Sequence, residues 1–327
     1  MIETTSQTGN ERARSGIKRI LTALFVVAVL LLAAFLLYRT WSRYSLEELG
    51  ASLAAIPAYR LLLAALFAAL SYLCLTGFDW LATRYVGHPL PYRYVALTSF
   101  TSLSLGHNIG FAALSSGAIR YRFYSRRGLR LDEIAKIIVF CAATVGLGLL
   151  LLGGGALVLR SGLAAELTGL DRSVVLAVGT LCLLLAATYL LLAALLRRPL
   201  RFRRWTVEMP PLRLALAQMV IGPLNFACVA ACLHQTLSAA ADLPYLTVAA
   251  VYVIANVTAL MAHVPGGLGV IESVVQYLLP QGLLAGPLVA FRVTYFLVPL
   301  CIGAPLFALA ELRRRSSRQG ADAADTR

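Results

Sequence analysis

Residues 94–127, which decide the fold, read YVALTSFTSLSLGHNIGFAALSSGAIRYRFYSRR. The first interrupted segment, Tyr94–Ala118, is a partly polar run that is broken near Gly106-His107-Asn108, and four arginines follow it between positions 120 and 127. Irregular backbone at membrane depth survives only where it is buried in protein or lines a wet cavity. The segment therefore predicts an interrupted helix inside a membrane protein.

The rest of the chain has the composition of a membrane protein. Of its 327 residues, 59% are hydrophobic and 13% are charged, whereas a soluble domain carries about 25% charged residues. Apolar runs of about 20 residues are long enough to cross the hydrocarbon core. We assign such spans to Ile20–Tyr38, Leu61–Leu81, Ile134–Leu159, Val174–Leu196, Leu212–Leu233 and Pro287–Leu309. The first is longer than the apolar region of a signal peptide, so we expect it to stay uncleaved.

A second interrupted segment covers Leu246–Leu279 and is broken at His263-Val-Pro-Gly-Gly267. It can cross the membrane twice, or it can enter and leave from one side. In the second case it mirrors the first segment, as in transporters built from inverted repeats. The predicted fold class is an all-α integral membrane protein of six to eight transmembrane helices, with two broken or re-entrant helical hairpins.

The placement of basic residues predicts the orientation. Most of the 29 lysines and arginines lie in five regions that can all be cytoplasmic under the positive-inside rule: the N-terminal tail, 83–93, 119–136, 197–213 and the tail after Leu312. This holds only if the first interrupted segment begins and ends on one side, since a crossing would put its arginines outside. We expect both termini in the cytoplasm and three regions: a basic tail (1–17), a membrane domain (18–312) and an arginine-rich tail (313–327).

Three charged residues stand inside apolar segments: Asp79, Glu272 and Arg292. An ionised side chain at the bilayer centre costs about 2.5–3.5 kcal/mol on insertion scales, so such residues are candidates for function. Asp79 has an equally good alternative as an interfacial residue, because Trp80 and Arg84 suggest that its span is ending. Glu272 has the alternative of a buried ion pair with Arg292, which is compatible with a functional role.

Polar residues of the first interrupted segment are the next candidates. Arg120 directly follows the apolar part, so it and Arg122 are placed to contact an anionic headgroup, although a positive-inside flank explains such arginines as well. His107 is a candidate proton relay or a locally hydrogen-bonded side chain. Asn108 is a candidate for the polar path or for hydrogen bonding between helices.

The second interruption contains Pro265, Gly266 and Gly267. Glycine permits unusual backbone angles, and a helix that restarts after a break exposes free N–H groups that attract anions such as lipid phosphate. No lysine of a nucleotide-binding loop follows these glycines, so the stretch indicates a helix break and not a phosphate loop.

Several other kinds of site are not indicated. The net charge of +14 is explained by arginines flanking the spans, so we expect no nucleic-acid partner. The six cysteines lie within apolar runs without a CxxC spacing, which is typical of small buried residues. We expect no metal and no cofactor.

Two motifs resemble a known family. Residues 108–125, NIGFAALSSGAIRYRFYS, and residues 265–272, PGGLGVIE, resemble the N-terminal membrane region of lysylphosphatidylglycerol synthases, the flippase part of the multiple peptide resistance factor. The similarity covers about residues 15–312. We expect the family's cytosolic aminoacyl transferase domain to be lacking, so the resemblance implies lipid translocation and argues against an enzyme.

The resemblance also implies roles and partners. Asp79 and Arg120 match family positions that look functionally placed. The expected function is translocation of anionic or aminoacylated phosphatidylglycerol in the bacterial inner membrane, with membrane phospholipids and a separately encoded aminoacyl-lipid synthase as partners. The alternative is a non-transporting anchor or regulator of a separate lipid-modifying enzyme. Self-association into a homo-oligomer stays open.

Overall fold

The structure is a computed structural model, and it describes residues 47, 51, 54, 56–109, 112–196, 200–202, 205–262, 264–279 and 285–324. The predicted first span, Ile20–Tyr38, and the basic tail before it lie outside the described residues, as does His263. The helices are, in chain order, α1 (Ala58–Tyr85), α2 (Tyr92–Ile109), α3 (Ala112–Tyr124), α4 (Leu131–Leu159), α5 (Ser161–Thr168), α6 (Arg172–Leu195), α7 (Leu212–Leu237), α8 (Tyr245–Ala262), α9 (Val270–Leu278), α10 (Ala285–Arg292) and α11 (Val298–Ala324).

Short elements connect these helices. Turns of 3-10 helix follow α3 at Ser125–Arg127 and precede α9 at Pro265–Gly267. A π-helical turn, Val293–Leu297, joins α10 to α11 in one continuous helix. Two three-residue strands, β1 (Leu200–Phe202) and β2 (Trp205–Val207), form an antiparallel hairpin in the loop before α7.

Six helices of the described chain are long and apolar enough to span a membrane. They cover Ala58–Tyr85, Leu131–Leu159, Arg172–Leu195, Leu212–Leu237, Tyr245–Ala262 and Gly286–Arg313. Each span assigned from the sequence within the described residues corresponds to one of them, with ends shifted by a few residues. The helical membrane fold is therefore confirmed, and the β hairpin is a small addition in an arginine-rich loop.

The first interrupted segment is a re-entrant hairpin made by α2 and α3. Its two ends lie together, because the Tyr94 hydroxyl donates a 2.6 Å hydrogen bond to the Phe123 carbonyl oxygen. The break lies directly after the predicted Gly106-His107-Asn108, since α2 ends at Ile109 and α3 begins at Ala112. Gly106 allows close packing of the two arms: a Cβ added there would lie 2.9 Å from the Ser116 Cβ.

The second interrupted segment is a hairpin of unequal arms. It breaks where predicted, after Ala262, and the backbone turns through Gly266, Gly267 and Gly269 with φ of 60°, 58° and 83°. These left-handed conformations favour glycine, because in other residues the Cβ atom would lie too close to the backbone. The returning helix α9 has nine residues, which is too short to cross the hydrocarbon core. The segment therefore turns back inside the bundle, and of its two arms α8 is the one that is long and apolar enough to span a membrane.

The two hairpins begin at opposite ends of the helix bundle. Helices α1 and α7 are antiparallel, because Tyr85 at the end of α1 donates a 2.6 Å hydrogen bond to the carbonyl oxygen of Glu208, just before α7 begins. The first hairpin follows the end of α1, and the second follows the end of α7. They therefore enter the bundle from opposite sides.

Close approaches between glycines hold the central helices together. A Cβ on Gly148 of α4 would lie 2.7 Å from the backbone carbonyl of Gly222 in α7, and Gly154 meets Gly179 of α6 in the same way. In a membrane, small residues commonly allow helices to pack closely, because burying apolar surface against another helix is no more favourable than leaving it in contact with lipid. The outer helix α6 exposes Leu184, which faces the lipid region.

Candidate functional site

The first buried ion pair joins Asp79 of α1 to Arg120 of α3. Nε and Nη2 of Arg120 donate hydrogen bonds of 2.8 Å each to the two carboxylate oxygens of Asp79. Ser99 of α2 donates to the same carboxylate at 2.7 Å and Tyr124 at 3.0 Å. Asp79 is fully buried and Arg120 is 3% exposed. Asp79 thus lies inside the helix bundle, six residues before α1 ends at Tyr85.

Helical spacing brings these side chains together. Residues four apart lie on the same face of a helix, and Ser116, Arg120 and Tyr124 form one buried face of α3. The Nη1 atom of Arg120 donates to the Ser116 hydroxyl at 2.9 Å. This arginine thus contacts Ser116 on its own helix as well as Asp79 across the interface, and Tyr124 donates to the same carboxylate.

Helix α2 supplies a polar inner surface. Hydroxyl-bearing side chains at five of its positions are fully buried: Thr98, Ser99, Thr101, Ser102 and Ser104. Most of them donate to carbonyl oxygens of the preceding turn of α2, while Ser99 reaches Asp79. This composition explains why the segment was too polar for an ordinary span.

The second ion pair joins the partly buried Glu272 of α9 to the buried Arg292 of α10. The Arg292 guanidinium contacts both carboxylate oxygens of Glu272 and also donates to the carbonyl oxygens of Gly266, at 2.5 Å, and Gly267, at 2.8 Å. Glu272 accepts from the Gly269 backbone N–H at 2.9 Å. The pair expected from the sequence is therefore present, and it also closes the glycine turn.

The tips of the two hairpins meet. A Cβ on Gly266 would lie 3.6 Å from the His107 carbonyl oxygen and 3.9 Å from the Asn108 Cα. The Asn108 side-chain amide donates to the Ser104 carbonyl at 2.8 Å and reaches the Phe296 carbonyl in the π-helical turn at 3.4 Å. The Glu272–Arg292 pair lies at this junction, whereas the Asp79–Arg120 pair lies further along the first hairpin, beside Ser99 and Ser116.

Two polar atoms close to this junction have no hydrogen-bond partner among the described residues: the Tyr72 hydroxyl and Nδ1 of His107. Both atoms are buried, and the two rings lie 6.4 Å apart between centroids. A buried polar group without a partner costs free energy, so these atoms suit water or a polar ligand group. Neighbouring Ser71 is satisfied by Asn225 and Tyr295.

A third cluster lies at the far end of the first hairpin. Glu311 of α11 accepts hydrogen bonds from Arg122, at 2.9 and 2.6 Å, and from Arg126. Glu311 is 3% exposed. Arg126 belongs to the basic region 119–136, which predicted the orientation, and Glu311 was not among the residues selected from the sequence. The available signal was a lone carboxylate directly after the apolar part of the last span.

The structure brings together most of the residues selected from the sequence. Asp79 with Arg120, and Glu272 with Arg292, are paired; His107 and Asn108 contact the glycine turn; Arg122 lies apart, with Glu311. Pro265 begins the 3-10 turn beside Gly266 and Gly267. Ser99 and Tyr124, which complete the Asp79 site, were missed because hydroxyl groups are common in such helices. Within the described ranges, no group of three or more His, Cys, Asp or Glu could hold a metal ion.

Comparison with known proteins gives a consistent picture. The sequence profile of a family described as the lysylphosphatidylglycerol synthase TM region matches residues 23–305. The chain is 31% identical over 282 residues to the uncharacterised protein slr0712 of Synechocystis sp., covering 84% of this chain and 88% of that protein. It is 30% identical over 318 residues to the inner membrane protein YbhN of Escherichia coli, covering 94% and 96%.

Proposed function

Since the chain belongs to the lysylphosphatidylglycerol synthase TM-region family, we propose that it translocates an anionic or aminoacylated phosphatidylglycerol between the leaflets of a bacterial inner membrane. One observation carries the proposal: two hairpins that enter from opposite ends meet at their tips, with the Glu272–Arg292 pair at the turn of the second hairpin and the buried Asp79–Arg120 pair along the first. Broken helices that meet in this way occur at the substrate sites of transporters.

The physical problem of translocation is the desolvation of the headgroup. A charged or zwitterionic headgroup meets the same barrier in hydrocarbon as a charged side chain. Hydrogen bonds are offered by the hydroxyl-rich surface of α2. They are also offered by the Tyr72 hydroxyl and His107 Nδ1, which have no partner among the described residues. These groups support a route along the first hairpin towards the junction of the tips.

The Asp79–Arg120 pair suits a headgroup that carries both signs of charge. In the structure the two charges neutralise each other, so neither attracts an ion strongly while the pair is closed. An aminoacylated phosphatidylglycerol has a phosphate anion and an ammonium cation. The phosphate can replace Asp79 at Arg120 while the ammonium replaces Arg120 at Asp79, and each buried charge then keeps a partner.

The second pair would act at the opposite side of the junction. Glu272 and Arg292 hold the turn of Gly266 and Gly267 against the tip at His107 and Asn108. Opening this pair would release the turn and expose the same two signs of charge. A separately encoded aminoacyl-lipid synthase is the partner that would supply such a lipid at the cytoplasmic face.

The alternative is a non-transporting anchor or regulator of a separate lipid-modifying enzyme. It is favoured by the completeness of the ion pairs: Asp79 accepts four hydrogen bonds, two from Arg120 and one each from Ser99 and Tyr124. Such a network also fulfils a purely structural role. The two functions differ in whether the protein accelerates lipid exchange.

Reconstitution distinguishes the two functions. Purified protein in liposomes should accelerate the leaflet exchange of fluorescent phosphatidylglycerol or its lysyl derivative, followed by chemical quenching of the outer leaflet. The double variant Asp79→Asn/Arg120→Gln should slow exchange by at least about tenfold, because it keeps hydrogen-bonding groups but removes the charges that a headgroup would replace. Arg130→Ala is the matched control, since Arg130 is exposed and pairs only locally with Asp132.

The comparison needs equal protein density and equal salt, because surface attraction is screened by ions. It should be run with and without an imposed pH gradient and membrane potential, so that a missing energy source is excluded. Folded, inserted protein that is no faster than empty liposomes under all of these conditions would refute translocation and favour the anchor.

A further inference from the structure

The cluster of Arg122, Arg126 and Glu311 differs from the two inner ion pairs because two guanidinium groups contact the same carboxylate. Arg122 meets Glu311 with both Nε and Nη2, and Arg126 adds a third contact to the same carboxylate. This paired geometry is the one by which arginine binds a carboxylate or a phosphate.

Access to the cluster is from the arginine side. The Arg122 and Arg126 side chains are 13% and 21% exposed, whereas the Glu311 side chain is 4% exposed. The carboxylate thus lies behind the guanidinium groups, in the position that a bound anion would take. An anion arriving from the surface meets the arginines first.

The cluster also joins two parts of the fold. Arg122 and Arg126 follow Arg120 at the end of the first hairpin, while Glu311 belongs to the last helix. Phe123 packs against Phe307 of the last helix, with ring centroids 6.1 Å apart, beside the cluster. A change of partner at Arg122 would therefore loosen the contact of the hairpin with α11.

We propose that Arg122 and Arg126 form a binding site for the phosphodiester anion of a phospholipid, and that Glu311 occupies this site as an internal substitute in the ligand-free protein. The inference rests on the proposed function, to which it adds the point where the headgroup first binds. Lipid phosphate displaces the carboxylate and at the same time separates the first hairpin from α11. Glu311 is then a competitor whose removal strengthens lipid binding.

The test measures binding and not transport, so it can succeed even if translocation fails. Short-chain phosphatidylglycerol is titrated onto the full-length protein in an uncharged detergent, with thermophoresis as the readout. Glu311→Gln, which keeps the shape of the side chain and removes its charge, should bind the lipid about tenfold more tightly than wild type. Adding Arg126→Gln to this variant should abolish the gain, whereas adding Arg130→Gln should leave it intact.

Further measurements identify the ligand and provide a second variant in case of misfolding. The gain in affinity of Glu311→Gln over wild type should be much smaller for inorganic phosphate and glycerol 3-phosphate than for the lipid. An equal gain would overturn the assignment to a lipid headgroup. Glu311→Asp is one methylene shorter and cannot reach both arginines, so it should show an intermediate gain and serves if Glu311→Gln does not fold. A folded Glu311→Gln that binds lipid no more tightly than wild type would refute the proposal, and so would an Arg130→Gln effect equal to that of Arg126→Gln.

Discussion

The Asp79–Arg120 pair makes the sharpest prediction about stability. Replacing Asp79 by Asn removes the charge that neutralises Arg120 and leaves this guanidinium buried with neutral acceptors, the Ser116 hydroxyl and the amide oxygen of the new side chain. Breaking a buried pair in this way costs about 3–5 kcal/mol, because an uncompensated charge remains. Asp79→Asn should therefore be strongly destabilising.

The reverse replacement should be milder. In Arg120→Gln the Asp79 carboxylate keeps its hydrogen bonds from Ser99, at 2.7 Å, and Tyr124, at 3.0 Å. Hydrogen bonds to a charged group contribute about 1.5–3 kcal/mol each, so we expect a cost near the lower end, about 3 kcal/mol. The double variant has no buried charge at this site, and its cost should fall below the sum of the single costs by about 2 kcal/mol or more.

Unfolding in mixed micelles with increasing amounts of a denaturing detergent measures the free energies of unfolding of the wild type, the two single variants and the double variant. The exposed pair Arg130–Asp132 is the control, because its side chains are 77% and 55% exposed, and its coupling should be at most about 1 kcal/mol. If the Asp79 and Arg120 effects add to within about 0.5 kcal/mol, the two residues do not interact energetically and the reasoning is refuted.

Three further predictions concern the rest of the fold. Gly148→Ala should destabilise the protein by about 1–3 kcal/mol through overpacking. Gly146→Ala on the same helix should be neutral or stabilising, because an added Cβ there meets nothing within 4 Å. Thermal unfolding compares the two variants, and an equal loss of stability would contradict the close helix packing. Arg292→Gln should destabilise the protein more than Glu272→Gln, since Arg292 also donates to two carbonyl oxygens of the turn. The double variant should be more stable than the less stable single variant. A double variant that is no more stable would show that the pair contributes nothing. Cysteine at Arg127 should resist membrane-impermeant thiol reagents in intact cells, because the end of the first hairpin is expected in the cytoplasm, and labelling from outside would reverse the orientation.

Local rules predicted the helices well because each rule acts over a few residues. Apolar length identified the spans, and the glycines after Pro265 identified the second break. The first break follows directly after the predicted residues, and Gly106, which suggested it, serves packing inside α2, where it lies against Ser116 on the other arm. A glycine that permits a turn and a glycine that permits a close approach look the same in a sequence.

The chain by itself determined that this is a membrane protein, where most spans lie, and that the first hairpin returns to its own side. These properties follow from hydrocarbon thickness and from the count of arginines, which need no knowledge of neighbours. Only the tertiary structure decided the partners: Asp79 with Arg120, 41 residues apart, and Glu311 with Arg122, 189 residues apart. Such pairs depend on how separate helices pack against one another, and no local pattern encodes that packing. The meeting of the hairpin tips at Gly266 has the same origin, because two turns that are distant in the chain come together only when the whole bundle is folded.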